Sequence, residues 1–152
     1  MKTIVTSALL ACFLFSPVSV LVAQAGELHR VRKIYPGRIV NERDEELPID
    51  GFLKREFERA GFIIVDEGAQ ADAILTGSII SELPLDGDGT ARPRYIHEVK
   101  LTSPGGVVLW QATVKFYSAW KDSGRMERSA RKIVERVSGD WKKSAKGAGI
   151  KP

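Results

Sequence analysis

Two segments of this 152-residue chain carry a helical hydrophobic period, and each is apolar along a single stripe. In residues 48–60 the stripe is Ile49, Phe52, Leu53, Phe57 and Ala60, with Lys54, Arg55, Glu56, Glu58 and Arg59 on the wet side. In residues 125–143 it is Met126, Ala130, Ile133, Val134, Val137 and Trp141. A helix with one apolar stripe can cover one apolar surface and has nothing to offer a second. The fold is therefore limited to two layers. Residues 31–40, 62–65, 73–83, 95–102 and 107–117 read as strands, rich in β-branched and aromatic residues. The predicted class is α+β (α/β two-layer): a mixed, mostly antiparallel five-stranded sheet with two helices on one face, in the order β-α-β-β-β-β-α.

Local chemistry refines this. Asp50 is placed to cap the first helix, and Gly61 to end it in the left-handed conformation. Pro36-Gly37 interrupts the first strand, which implies a bulge or an edge position. The continuous apolar run 62–65 reads as a central strand. Gly77, in the middle of the isoleucine-rich 73–83 strand, implies close packing or a bulge. In 95–102, Tyr95, His97, Val99 and Leu101 point one way, and Ile96, Glu98, Lys100 and Thr102 the other. In the next strand Val108, Trp110, Ala112, Val114 and Phe116 share a face. Ser103-Pro104-Gly105-Gly106 between them has the residues of a type II turn, and 84–93 those of an exposed hairpin loop.

The start of the chain is set apart from the fold. Lys2 is followed by a nearly unbroken apolar stretch over 4–22, then by Ala23-Gln24-Ala25, an A-x-A cleavage signal. This is the layout of an export signal peptide. A membrane anchor is the alternative, and Pro17 with the small-residue exit argues against it. A lipid anchor at Cys12, the only cysteine, is a further alternative, although Phe13-Leu14-Phe15 continues the apolar stretch beyond it. The organisation expected is a signal peptide over 1–25, one α/β domain over 26–143 and a basic flexible tail over 144–152. The expected address is across the inner membrane, periplasmic or envelope-associated. With Cys12 removed, no disulfide helps the domain fold.

The formal net charge is +4 and is concentrated at the domain's ends, in His29-Arg30-Val31-Arg32-Lys33 and in Lys142, Lys143, Lys146 and Lys151. Export argues against a nucleic-acid partner. An anionic membrane surface or lipopolysaccharide is the acidic surface such ends could meet, and plain solvated termini are the simpler reading.

Residues 58–66, Glu-Arg-Ala-Gly-Phe-Ile-Ile-Val-Asp, and 71–79, Ala-Asp-Ala-Ile-Leu-Thr-Gly-Ser-Ile, resemble a pattern of small bacterial envelope accessory domains. That group comprises CsgG, LpoB and the N-terminal domain of TolB. In it a helix ends in glycine, a strand follows, and an Ala-Asp pair opens a strand carrying Thr-Gly. Gly105 to Trp110 is similar to their late strand, and the closing helix with Trp141 resembles the ending of related uncharacterised envelope proteins. The resemblance implies an envelope address and an accessory role. It marks Gly61, Asp72, Gly77, Trp110 and Trp141 as motif residues with roles in the fold. The chain is too short to add the membrane-spanning hairpins of a CsgG-type channel.

Catalytic chemistry is sparse. There is no Gly-x-Ser-x-Gly elbow, no glycine-rich phosphate loop and no zinc spacing. His97 reads as a satisfied, half-buried strand histidine in preference to the base of a small hydrolase, and His29 as part of a frayed start. Asp86-Gly87-Asp88-Gly89 begins like a calcium loop, but Ala91 and His97 stand where glycine and glutamate are needed. Asp44-Glu45-Glu46 reads as a solvated loop. No cofactor is expected. Candidate partner contacts are Trp120 with Lys121, which alternatively cap the sheet edge, and Tyr35 with Arg38 around Pro36-Gly37. The function expected is a non-enzymatic accessory domain that binds an envelope protein. Binding of anionic lipid or lipopolysaccharide is the alternative.

Overall fold

The computed structural model describes residues 27–83, 94–117 and 124–150. The leader, the 84–93 loop and residues 118–123, with Trp120 and Lys121, lie outside the described residues. The elements are β1 (Lys33–Val40), α1 (Asp50–Arg59), β2 (Ile63–Ile64), β3 (Ala73–Glu82), β4 (Arg94–Thr102), β5 (Val108–Tyr117) and α2 (Arg125–Gly147). They form one five-stranded sheet in the order β2-β1-β3-β4-β5. β1 runs parallel to both β2 and β3, while β3, β4 and β5 are antiparallel. The two helices lie against each other on one face, α1 over β1 and β2 and α2 reaching β5. This is the two-layer α+β class that the single-stripe helices demand.

The core lies between these layers. Ile34, Leu53, Phe57, Leu75, Leu101, Ile133 and Val137 are fully buried there. Phe62 stands edge-on to both Phe57 and Trp141 and joins the end of α1 to α2. The Pro36-Gly37 interruption coincides with a shift of the β1–β3 register between Pro36 and Ile39, and it falls beyond Ile34, the last β1 residue paired with β2. A Cβ on Gly37 would come within 2.7 Å of the Leu75 carbonyl oxygen, so two backbones come together there.

Several local expectations change. Residues 62–65 do not make a central strand. β2 is a two-residue edge strand, and Ile63 is 56% exposed. Phe62 precedes the strand and turns into the core, which breaks the apolar run in two. Asp50 does not cap α1: Ile49 occupies the N-cap position with no side-chain cap, and Asp50 pairs instead with Lys54 at 3.3 Å. That carboxylate raises the Lys54 pKa. The β4–β5 turn is not type II. Gly106, at φ +86°, takes the left-handed position, and Ser103 receives the Gly106 N–H at 2.9 Å. Such a turn is completed by a left-handed residue after its fourth-position bond, as in three-residue hairpin loops.

Both ends of the domain are more ordered than composition suggests. Leu28 and Val31 are buried, and the His29 N–H bonds the Ser144 hydroxyl at 3.3 Å. Helix α2 continues past Lys143 to Gly147, with Ala145 fully buried. The two basic termini therefore pack beside each other.

Gly77 is the tightest point of the sheet. A Cβ there would lie 2.4 Å from the Glu98 carbonyl oxygen and 2.8 Å from Val99 Cγ1. Gly77→Ala is expected to spread β3 from β4 and lower stability by about 2 kcal/mol, as overpacking does. Gly51→Ala, whose Cβ would meet nothing within 4 Å, should leave the denaturation midpoint unchanged or raise it.

Candidate functional site

Alternation along the strands sorts side chains between two faces. Leu75, Ile79, Tyr95, Val99, Leu101, Trp110, Val114 and Phe116 go under the helices and are buried. Their neighbours in sequence remain on the outer face, where neither helix lies. A groove of about 800 Å3 runs across that face. Arg38 and Val40 from β1 form one wall, and Thr76 and Ser78 from β3 form the floor. Glu98 and Lys100 from β4, with Gln111 and Thr113 from β5, form the far side. Thr76, Lys100 and Gln111 make one row across the sheet; Ser78, Glu98 and Thr113 make the next.

The lining is divided about evenly between polar and apolar surface, carries both charges and has spare hydrogen-bonding capacity. Glu98 and Lys100 are exposed and make no ion pair among the described residues. Thr76 Oγ1 is buried with no hydrogen-bond partner there. A buried hydroxyl without a partner is uncommon in a folded protein and is satisfied at low cost by an incoming polar group. The groove can thus take a polar ligand or peptide surface by hydrogen bonds and charge pairing.

Arg38 lines the groove, but its guanidinium is engaged by its own loop. It donates to the Asp44 carbonyl oxygen at 2.8 Å and lies 3.7 Å from the Glu46 carboxylate. Residues 41–46 are accordingly a built loop, with Asn41 Oδ1 accepting the Arg43 and Glu45 N–H groups at 2.8 and 3.0 Å. Tyr35 lies further along β1, paired in register with Ile74 and outside the groove lining. The structure brings only Arg38 of this pair to the site. Glu98, Lys100, Gln111 and Thr113 were not singled out from sequence. Their signal was the outward half of the strand alternation, which looks the same for a binding face and a bare one.

The motif residues serve the frame. Asp72 Oδ2 accepts the backbone N–H groups of Arg32 and Lys33, both at 2.8 Å, and so ties the start of β3 to β1. Gly61 sits at φ +89°, where a side chain is strained. Trp110 Nε1 donates to Asp140 Oδ2 at 3.1 Å, which links β5 to α2. Burial opposes ionisation of Asp140, but the Trp110 N–H, Lys143 and Arg136 outweigh it and hold the carboxyl below its ordinary value. Trp141 Nε1 donates to the Val31 carbonyl oxygen at 3.0 Å.

His97 differs from its expectation. It is fully buried, neither half-buried nor satisfied, and neither ring nitrogen has a hydrogen-bond partner among the described residues. It stacks on Phe116, with ring centres 5.0 Å apart and planes 3° apart. Desolvation pushes its pKa down to about 4. A ring sealed beneath the helices has no access to a dissolved substrate, so the hydrolase reading loses its base. Among the described residues there is no group of three or more His, Cys, Asp or Glu side chains placed to hold a metal. No described helix is long and apolar enough to cross a membrane.

The fold and site define a small two-layer α+β domain in which, among the described residues, no helix covers the outer sheet face. No protein-family model matches the chain, and no curated protein sequence matches it. Among solved structures it is similar to a minor lipoprotein of Acinetobacter baumannii, with TM-score 0.51 and 10% identity over 72% of this chain and 92% of that one. Looser likenesses are to a PelC dodecamer of Paraburkholderia phytofirmans and to lipoprotein GNA1162 of Neisseria meningitidis. The first has TM-score 0.48 and 20% identity over 74% and 88% of the two chains. The second has TM-score 0.37 and 14% identity over 70% and 98%. At these identities the likeness is one of fold. The chain shares its architecture with a bacterial lipoprotein, and that is the level at which the resemblance read from sequence holds.

Proposed function

We propose that this chain is an exported, non-enzymatic accessory domain of the bacterial envelope, akin to the CsgG, LpoB and TolB N-terminal group, and that it binds a protein partner through its outer sheet face. The observation that carries this is the groove itself: neither helix covers this sheet face, and among the described residues Glu98 and Lys100 on it make no ion pair and Thr76 Oγ1 no hydrogen bond. Architecture shared with a bacterial lipoprotein and the export signal both support the envelope as the compartment. Trp120 and Lys121 belong to the proposal as anchors next to the end of β5 in sequence.

Affinity capture from envelope extract tests the proposal, with Lys100→Glu and Trp120→Ala compared with the parent chain. Lys100→Glu reverses an exposed groove charge and should reduce recovery of the partner at least tenfold, with the melting temperature unchanged. Equal recovery would remove the groove from the model. Loss with Trp120→Ala alone would move the contact to the loop after β5. The basic ends carry the alternative, binding of anionic lipid or lipopolysaccharide. Lys142 and Lys146 are exposed on the last turns of α2. That reading requires vesicle binding that weakens as salt is raised.

A further inference from the structure

The sheet has two edges of very different kinds. β2, at one end, is two residues long. β5, at the other, is ten residues long, contains no proline and carries one charge, Lys115. No described strand pairs with its outer side. Its register with β4 is regular from Trp110 to Tyr117, so no bulge twists this stretch away from a neighbour. Edges of this length are normally blunted by charge, proline, a bulge or a cover.

The order of side chains along β5 indicates what it can pair with. An antiparallel partner strand must keep core-facing residues opposite core-facing ones, so only every second register is allowed. Among those registers, a two-fold axis at Thr113 matches the strand to itself. On the outer face Thr113 meets Thr113 and Gln111 meets Lys115. On the helix-side face Ala112 meets Val114 and Trp110 meets Phe116. Every pair is then hydroxyl with hydroxyl, amide with ammonium, or apolar with apolar. Moving the axis to Ala112 carries Lys115 past the regular stretch, moving it to Val114 sets Gln111 against Tyr117, and moving it to Lys115 sets like charges directly opposite.

We infer that β5 pairs antiparallel with β5 of a second copy of this chain, about a two-fold axis at Thr113, to give a dimer with one continuous ten-stranded sheet. The contact is isologous and therefore closes at two copies. Gln111 and Thr113 also line the outer groove, but the pairing is made by the backbone edge of β5 and does not require the groove to be occupied.

Sedimentation equilibrium of the full chain as recovered from cells, over a concentration series, tests this. The parent chain should show a monomer–dimer equilibrium. Gln111→Glu should tighten it several-fold, because each of two symmetric pairs becomes Glu opposite Lys115. The same substitution also faces Lys100 within the chain, so it does not strain the fold. Adding Lys115→Glu to that variant sets carboxylates opposite each other and should leave the dimer weaker than in the parent. Thr113→Cys in a Cys12→Ser background should cross-link on oxidation, while Gln111→Cys, displaced from its own copy, should not. A chain that stays monomeric throughout, a dimer indifferent to both charge variants, or equal cross-linking at 111 and 113 overturns the inference.

Discussion

Trp141→Ala is expected to lower the unfolding free energy by about 4 kcal/mol. The indole is 8% exposed and closes a junction of three chain segments. It stands edge-on to Phe62 at 6.1 Å and lies beneath the Arg32 guanidinium at 4.5 Å. Its N–H also holds the Val31 carbonyl oxygen just before β1. Truncation removes the apolar area, leaves a cavity between α2 and Phe62, and strands a buried carbonyl. Trp141→Phe keeps a ring and loses the hydrogen bond, so it should cost about 1–2 kcal/mol. Urea denaturation of the three proteins measures both values. A loss below 2 kcal/mol for the alanine variant would mean that the α2–β1 junction collapses onto the void and is not fixed by this side chain.

Acidification should destabilise the domain through His97. Its folded pKa, about 4, lies below its ordinary value of 6.5 because burial disfavours the imidazolium. Between those values the unfolded chain binds a proton that the folded one refuses. The stability His97 confers is therefore complete above pH 6.5, falls as the pH drops, and is gone below about pH 4. The full loss is about 3.5 kcal/mol, at 1.4 kcal/mol per pH unit of difference. His97→Leu should flatten the stability curve across this window. At neutral pH it should change little or stabilise, since both ring nitrogens lack partners. Denaturation midpoints from pH 7.5 to 4 give the comparison. Glu42, held below its ordinary value by the Ser81 backbone N–H, and Asp140 titrate at lower pH. Their contributions begin to be lost only as the pH falls through their ordinary values of 4.5 and 3.8, at the acid end of this window and below it, and that loss is common to parent and variant. An equal slope in parent and His97→Leu would refute the assignment to His97.

What was legible in the sequence followed from short-range pattern. Ile49, Leu53 and Phe57 recur at helical spacing, and Tyr95, His97, Val99 and Leu101 at strand spacing. Each set is buried as its period requires. What was missed depended on contacts between distant segments. The 62–65 run has the composition of a central strand, but Phe62 is drawn into the core by Phe57 and Trp141, and the remainder is left as an edge. His97 shares its strand face with Val99, yet only the packing of Phe116 and the helix layer makes it an unpartnered buried imidazole. The groove shows the same division. Glu98 and Lys100 were known to point outward, but not that Thr76 and Gln111 would complete their row.

The sequence alone determined the number, type and order of the elements, and which side of each is apolar. Those follow from side-chain periodicity, which acts within a few residues. The tertiary structure decided that β1 lies between β2 and β3, that β5 is the outermost of the described strands, and that the two basic ends meet at His29 and Ser144. Those are pairings across tens of residues. They are selected by which arrangement lets two single-stripe helices cover one face of the sheet while the backbone hydrogen bonds of every inner strand are met.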